Sequence, residues 1–164
     1  MVKINPLEMF LWTFRRNEND VVNLYNTLSP VMQLATGGNM LNFGYWEDDD
    51  ISPITAQNRL CDIIGSMAEL NSAKSLLDIG SGLASPAMKW SSLYPNVAIS
   101  CVNINYEQLH AAKNLLREKS LHYPIYGINS TSTMLPFVKN SIDRIIALES
   151  AQHFKPFKHF IFES

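Results

Sequence analysis

Residues Leu76 to Pro86, LLDIGSGLASP, restrict the fold more than any other stretch of the chain. An apolar run of strand length, Ser75 to Ile79, stops at Gly80. A Gly-Ser-Gly turn follows, and a helix opens at Ser85-Pro86, with Ser85 as N-cap and Pro86 at a position whose N–H has no helical partner. A buried strand feeding a glycine turn and then a helix N-terminus brings backbone to a ligand at the carboxyl end of a sheet. The alternative, two glycines that only close a tight turn, is weakened by Asp78, an acid set inside the strand two residues before Gly80. A dinucleotide fingerprint has apolar residues there and a third spaced glycine, whereas this chain has Ala84 after Gly80 and Gly82. An acid at that point suits a ligand with a positive end, such as an ammonium.

The surrounding pattern is α/β. Between Asn19 and Leu34 the apolar spacing predicts one or two short helices broken at Pro30, and Thr36 to Trp46 (TGGNMLNFGYW) is an ordered loop of ligand-touching composition. Leu60, Ile63, Ile64 and Met67 give the stripe of an amphipathic helix over Ile54 to Leu70. A second strand is predicted over Val97 to Val102. The next helix runs from Asn105 to Lys119, with Asn105 as N-cap and Gln108 at the capping-box position. Further strands fall at Ile125 to Ile128 and Asp143 to Leu148, and an aromatic-rich helix begins near Pro156. Near-continuous apolar strands alternating with helices predict a Rossmann-like parallel sheet with helices on both faces. Residues 1–50 read as a helical and loop cap segment, and residues 51–164 as the core.

Composition narrows the function classes. The 164 residues are 46% hydrophobic and 17% charged, which suits one globular unit, and the formal charge of -2 is no nucleic-acid footprint. Cys61 and Cys101 lie far apart with no CxxC or Cys/His cluster, so neither a metal site nor a disulfide framework is expected. Glu8 and Arg15-Arg16 interrupt any signal-peptide core, and no window approaches the roughly 18 apolar residues of a membrane span. A reducing, cytoplasmic setting is the expectation.

Beyond the glycine turn, the sequence resembles the class I S-adenosylmethionine-dependent methyltransferases, whose first motif is hydrophobic-Asp-x-Gly-x-Gly. The blocks NFGYW, ITAQ, VNINYEQ, MLPFVKNSIDRIIALES and AQHF follow in the order of the small-molecule branch, which methylates sterols, tocopherols, macrolides and lipid double bonds. The resemblance implies S-adenosylmethionine as cofactor, a small or lipid-like acceptor and no metal. It sets Asp78, Gly80, Ser81 and Gly82 against the methionine portion. Asn42 and Tyr45 close over its carboxylate, Asn103 and Gln108 face the ribose, Thr131 and Ser132 frame the adenine, and Leu148 lines the far side. His153 is the candidate general base, with packing against Phe154 as its alternative role, and Glu149 orients either a substrate or the Tyr45 loop.

Three departures stand out. Many relatives hold the ribose with an acid where this chain has Asn103, and Thr131-Ser132 replaces Asp-Ala. Gln152 stands where an acid accompanies cyclopropanation. The family fold has seven strands and this chain supplies four, so the chain is expected to be truncated. A cofactor-binding or scaffold remnant without catalysis is the competing reading. The strand at Asp143 to Leu148 would then be an open edge, and with Phe154, Phe157, Phe160 and Phe162 exposed it would favour self-association or a partner chain.

Overall fold

A computed structural model describes Leu7, Phe10 and residues 17–118 and 125–164. Glu8, Arg15, Arg16 and Lys119, used in the reading above, lie outside the described residues. The elements are α1 (Glu18–Thr36), α2 (Pro53–Met67), β1 (Ser75–Ile79), α3 (Ser85–Leu93), β2 (Ala98–Asn103), α4 (Tyr106–Glu118), β3 (Ile125–Asn129), β4 (Arg144–Ile146), a short 3-10 turn (Ala151–His153) and α5 (Phe157–Glu163).

The strands form one parallel sheet in the order β3-β2-β1-β4, with Asp78 in register with Cys101 on β2 and Ile146 on β4. Alternation along β1 divides the core. Leu76 packs with Ile99, Cys101 and Ile146 beneath Cys61 of α2, Trp90 of α3 and Ala112 of α4. Leu77 and Ile79 pack on the opposite face with Val102 and Phe160 of α5. Helices therefore cover both faces, as the apolar strands require.

Several local expectations are corrected. Helix α1 runs unbroken through Pro30. A proline inside a helix removes one bond and costs roughly 3 kcal/mol, but α1 is held on both sides of it. Asn26 accepts from Asn105, the cap of α4, and Ser29 from Gln108 within it, while Gly37, at φ 73, donates its N–H to the Gln33 carbonyl. In α2 the buried face is Ala56, Gln57, Cys61 and Gly65, rotated from the predicted stripe, and Met67 is 75% exposed. Gly65 is the cause: a Cβ there would lie 2.9 Å from the Tyr94 ring, so the helix approaches α3 along its smallest residues. Trp90 Nε1 donates to the Cys61 carbonyl at 2.8 Å across that contact.

Helix α3 is capped by Ala84 rather than Ser85. The glycine turn carries Ala84 to φ 56, where its N–H donates to the Ser81 carbonyl at 2.8 Å. Asn105 does cap α4, its Oδ1 accepting from the N–H groups of Glu107 and Gln108. The Gln108 side chain is used elsewhere, so the capping box is only half formed. Strand β4 is shorter than predicted because the Asp143 carboxylate turns back to accept from the N–H groups of Lys74 and Ser75 at 2.8 and 3.0 Å. Those bonds hold the Asp143 carboxyl below the usual range. Among the described residues, strand β4 pairs only with β1 and is a sheet edge. The aromatic surface beside it is smaller than expected: Phe160 is buried and Phe154 half-buried, since both join the core on that face, leaving Phe157 and Phe162 exposed.

Candidate functional site

A cavity of about 100 Å³, counted as room for the centres of water molecules, opens where β1, β2 and β4 end. That is where an open α/β sheet receives ligands. Its walls come from α1, the loop before α2, the glycine turn, the end of β2, and the segment after β4. Asn42, Asp78, Gly80, Ser81, Gly82, Asn103, Gln108, Ser132, Leu148, Glu149 and His153 all line it. Two expected residues do not. Tyr45 is half exposed, with its N–H donating to the Ala56 carbonyl, and Thr131 turns its hydroxyl to Glu18.

The glycine turn forms because its backbone is bound to the neighbouring strand. The N–H groups of Gly80 and Ser81 both donate to the Val102 carbonyl, at 2.8 and 3.2 Å. Gly80 sits at φ 73, and a Cβ on it would fall 2.4 Å from the Ser150 Cβ, so only glycine fits there. Ser150 is fixed in turn by donating its hydroxyl proton to the Ile79 carbonyl at 2.6 Å.

Asp78 dominates the electrostatics. It is 2% exposed, its Oδ2 has no hydrogen-bond partner, and burial pushes its carboxyl up to about 7. Asn42 is similar: its Oδ1 is buried without a partner, and its Nδ2 meets only the sulfurs of Cys61 and Met40. Two buried acceptors lacking donors at one cavity are uncommon in a folded protein, and they fit a ligand that brings protons or positive charge. Among the described residues, the carboxyl groups lining the cavity are Glu18, Asp78 and Glu149, against the ammonium of Lys155. That balance disfavours a diphosphate. The thiols contribute no nucleophile, since burial pushes Cys61 up to about 12 and raises Cys101 as well.

On the far wall, the His153 Nε2 lies 3.0 Å from the Tyr25 hydroxyl, and the two rings meet edge to face with centroids 5.5 Å apart. Glu149 sits at φ 49, and its Oε2 accepts from the Phe43 N–H at 2.7 Å. It thus clasps the loop that carries Tyr45, one of the two roles weighed for it. Sequence reasoning missed Tyr25, Ser29 and Ser150 as site residues. The first two sit in a helix whose partners lie some 80 to 130 residues away, and only the placement of Ser150 after an apolar strand pointed to the site.

Comparison with known proteins decides the family: residues 77–164 match the methyltransferase domain family. The chain belongs to that family. This methyltransferase domain is similar to 27-O-demethylrifamycin SV methyltransferase of Amycolatopsis mediterranei, 27% identical over 87% of this chain and 52% of that protein. It is also similar to erythromycin 3''-O-methyltransferase of Saccharopolyspora erythraea, 23% identical over 89% of this chain and 48% of that one. Among solved structures, the 4+2 cyclase SpnF superposes with a TM-score of 0.83 and 25% identity, over 90% of this chain and 55% of its own. Coclaurine N-methyltransferase bound to N-methylheliamine and SAH shares the fold, with a TM-score of 0.62 and 15% identity. The chain spans about half the length of these relatives. No described helix is long and apolar enough to cross a membrane.

Proposed function

We propose that this methyltransferase domain binds S-adenosylmethionine and serves methyl transfer to a small-molecule or lipid-like acceptor, in the manner that the names of the rifamycin and erythromycin relatives suggest. The observation that carries the reading is the buried, unpartnered Asp78 carboxylate beside the Gly80-Ser81-Gly82 turn. When bound, S-adenosylmethionine supplies an electrophilic methyl group on a positively charged sulfur.

The chain's own residues then have distinct tasks. Asp78 and Asn42 receive the donors of the amino-acid end, and the glycine turn admits it against backbone. Asn103 receives the ribose, and Ser132 borders the adenine. Gln108, both of whose polar atoms are engaged inside the protein, acts on the ribose side only through Asn103. Thr131 and Tyr45 act from outside the cavity, Thr131 by steadying α1 through Glu18 and Tyr45 by securing the loop. Leu148 and the half-buried His153 close the side toward the acceptor. The neutral imidazole takes the acceptor's proton as the new bond forms. Holding the acceptor in line in a cavity shielded from water supplies most of the acceleration.

Calorimetry with S-adenosylhomocysteine and NAD tests this reading. Binding of the first and none of the second is expected, and tight NAD binding without response to S-adenosylhomocysteine would overturn it. A second reading, cofactor binding without methyl transfer, is favoured by the likeness to SpnF, a cyclase. The two separate in a labelled methyl-transfer assay on hydroxylated macrocycles using the protein in its native length.

A further inference from the structure

The segment after β4 and the first half of α1 meet in two titratable rings, His153 and Tyr25, and both border the cavity. A third side chain decides which proton lies between them. Gln152 sets one atom 2.6 Å from the Glu149 carbonyl; a carbonyl only accepts, so that atom is the amide nitrogen Nε2. The same nitrogen lies 3.4 Å from His153 Nε2, toward which it can present only a proton. His153 Nε2 is therefore the ring nitrogen without a hydrogen, and the neutral imidazole carries its proton on Nδ1. Tyr25 Oη, 3.0 Å from Nε2, must then donate to it.

The basic lone pair of His153 is thus taken up by the Tyr25 hydroxyl, and Nδ1–H has none to offer. While that bond stands, a proton from the cavity reaches the imidazole by way of the phenol oxygen, which keeps acceptor lone pairs after its own proton is spent. The pair is held in this arrangement from both sides. The rings meet edge to face with centroids 5.5 Å apart. The His153 N–H donates to the Ser150 carbonyl at 3.0 Å, and Ser150 is itself fixed on the Ile79 carbonyl at the end of β1.

We propose that Tyr25 is a further catalytic residue, whose phenol oxygen takes the acceptor's proton while its own proton passes to His153 Nε2, and that Gln152 is a positioning residue that sets the tautomer of the ring. This rests on the methyl-transfer reading above. As the acceptor oxygen bonds to the methyl carbon, the carbon–sulfur bond breaks and its electron pair stays on sulfur. The acceptor's proton moves to Tyr25 Oη, the Tyr25 proton moves to Nε2, and the positive charge passes from sulfur to the imidazole. The half-buried ring returns its extra proton to solvent before the next turnover. An acid at position 152 would present only acceptors to the ring, bond to an Nε2–H and turn it to the other tautomer. The amide found there is the residue that keeps the relay open.

Nitrogen NMR of the labelled 164-residue chain at pH 8 reads the tautomer without ligand or turnover. His153 Nε2 is expected unprotonated and Nδ1 protonated, and Gln152→Glu should exchange the two. A ring protonated at Nε2 in the unaltered chain would overturn the proposal. In the native-length protein, with 27-O-demethylrifamycin SV as the acceptor probe, Tyr25→Phe should lower kcat about 10²-fold and leave KM for S-adenosylmethionine within a few fold. Tyr25→Phe combined with His153→Ala should fall no further than His153→Ala alone, as groups that act as a unit do. Full turnover in Tyr25→Phe, or losses that multiply in the double variant, would equally overturn it. A native-length protein that methylates neither this probe nor other hydroxylated macrocycles, with the ring in the expected tautomer, would overturn the transfer reading and the catalytic role of Tyr25 with it.

Discussion

Replacing Asp78 by Asn should stabilise the ligand-free chain at alkaline pH while damaging its site. Asp78 is the penultimate residue of β1, paired between Cys101 and Ile146, and burial alone lifts its carboxyl from 3.8 to about 7. Its folded value lies above its unfolded one. Between about pH 4 and 7 the native state keeps a proton that the unfolded chain has lost, so stability falls as pH rises through that window. Above pH 7 the carboxylate is charged in both states, and the displacement corresponds to roughly 4 kcal/mol of destabilisation at most. The Asn side chain has the same shape and no charge, but its amide adds a donor that costs about 1–3 kcal/mol if unmet.

The net expectation at pH 8 is a variant more stable than the parent by about 1–3 kcal/mol. At pH 4.5 the advantage should vanish or reverse. Urea unfolding followed by circular dichroism at pH 4.5, 6 and 8 measures this, and the difference between the two chains cancels other titrating groups. Asp143, for example, is held below its usual value and acts at lower pH. A ligand with an ammonium end should reverse the ranking, with Asp78→Asn losing more than about tenfold in affinity for S-adenosylhomocysteine at pH 8, the scale of a lost charge-assisted bond. If parent and variant show the same stability at pH 4.5 and 8, the carboxyl is not desolvated and the reasoning fails.

Gly80→Ala should destabilise the fold by about 2–4 kcal/mol in urea unfolding, combining left-handed strain with displacement of Ser150 from the Ile79 carbonyl. Glu149→Ala should raise hydrogen exchange at the Phe43 amide about tenfold or more by removing its carboxylate partner, and no change would mean the loop is held without it. His153→Ala should leave cofactor affinity within a few fold and lower turnover of the native-length protein by roughly 10²–10⁴, the range for a lost general base, whereas full activity would leave the ring a packing role against Tyr25. The open edge of β4 beside exposed Phe157 and Phe162 should make the 164-residue chain self-associate in light scattering, and a stable monomer would contradict this.

The parts of this molecule legible in the sequence are those fixed by neighbours along the chain. Strand β1 and the cap at Asn105 follow from local pattern, because each is decided within about four residues, and the glycine turn is marked by its own residues although β2 and Ser150 fix its shape. The buried face of α2 is not legible in the sequence because hydrophobicity alone ranks Leu60 and Met67 above Gly65, whereas close approach to Tyr94 selects the smallest residue. Pro30 reads as a break in sequence because the bonds holding α1 come from residues that a local window does not contain. The site divides in the same way. Asp78, Gly80 and Asn103 sit at strand ends, where topology alone brings them together, while Tyr25 reaches the cavity, and Ser29 the Gln108 side chain, only through the docking of a helix.

That docking also accounts for the missing acid at the end of β2. A carboxylate at position 103 would face the Gly82 carbonyl and Gln108 Oε1, the two acceptors to which the Asn103 amide now donates, and would have no proton for either. Turning Gln108 over would satisfy it, but that would set Gln108 Oε1 against Ser29, whose only proton is already given to Tyr25. An acid would also add a fourth carboxyl group to a cavity where Asp78 is already pushed up to about 7 by burial alone. Mutual repulsion would drive one of the two to stay protonated at neutral pH. An amide keeps the acceptor that a hydroxyl needs, avoids that competition, and leaves Asp78 as the carboxylate that meets a ligand's positive charge. The departure from the acidic pattern is thus a consequence of how α1 and α4 are wired to the sheet, and the Asn at 103 and the Gln at 108 form a matched pair that neither position's residue type reveals alone.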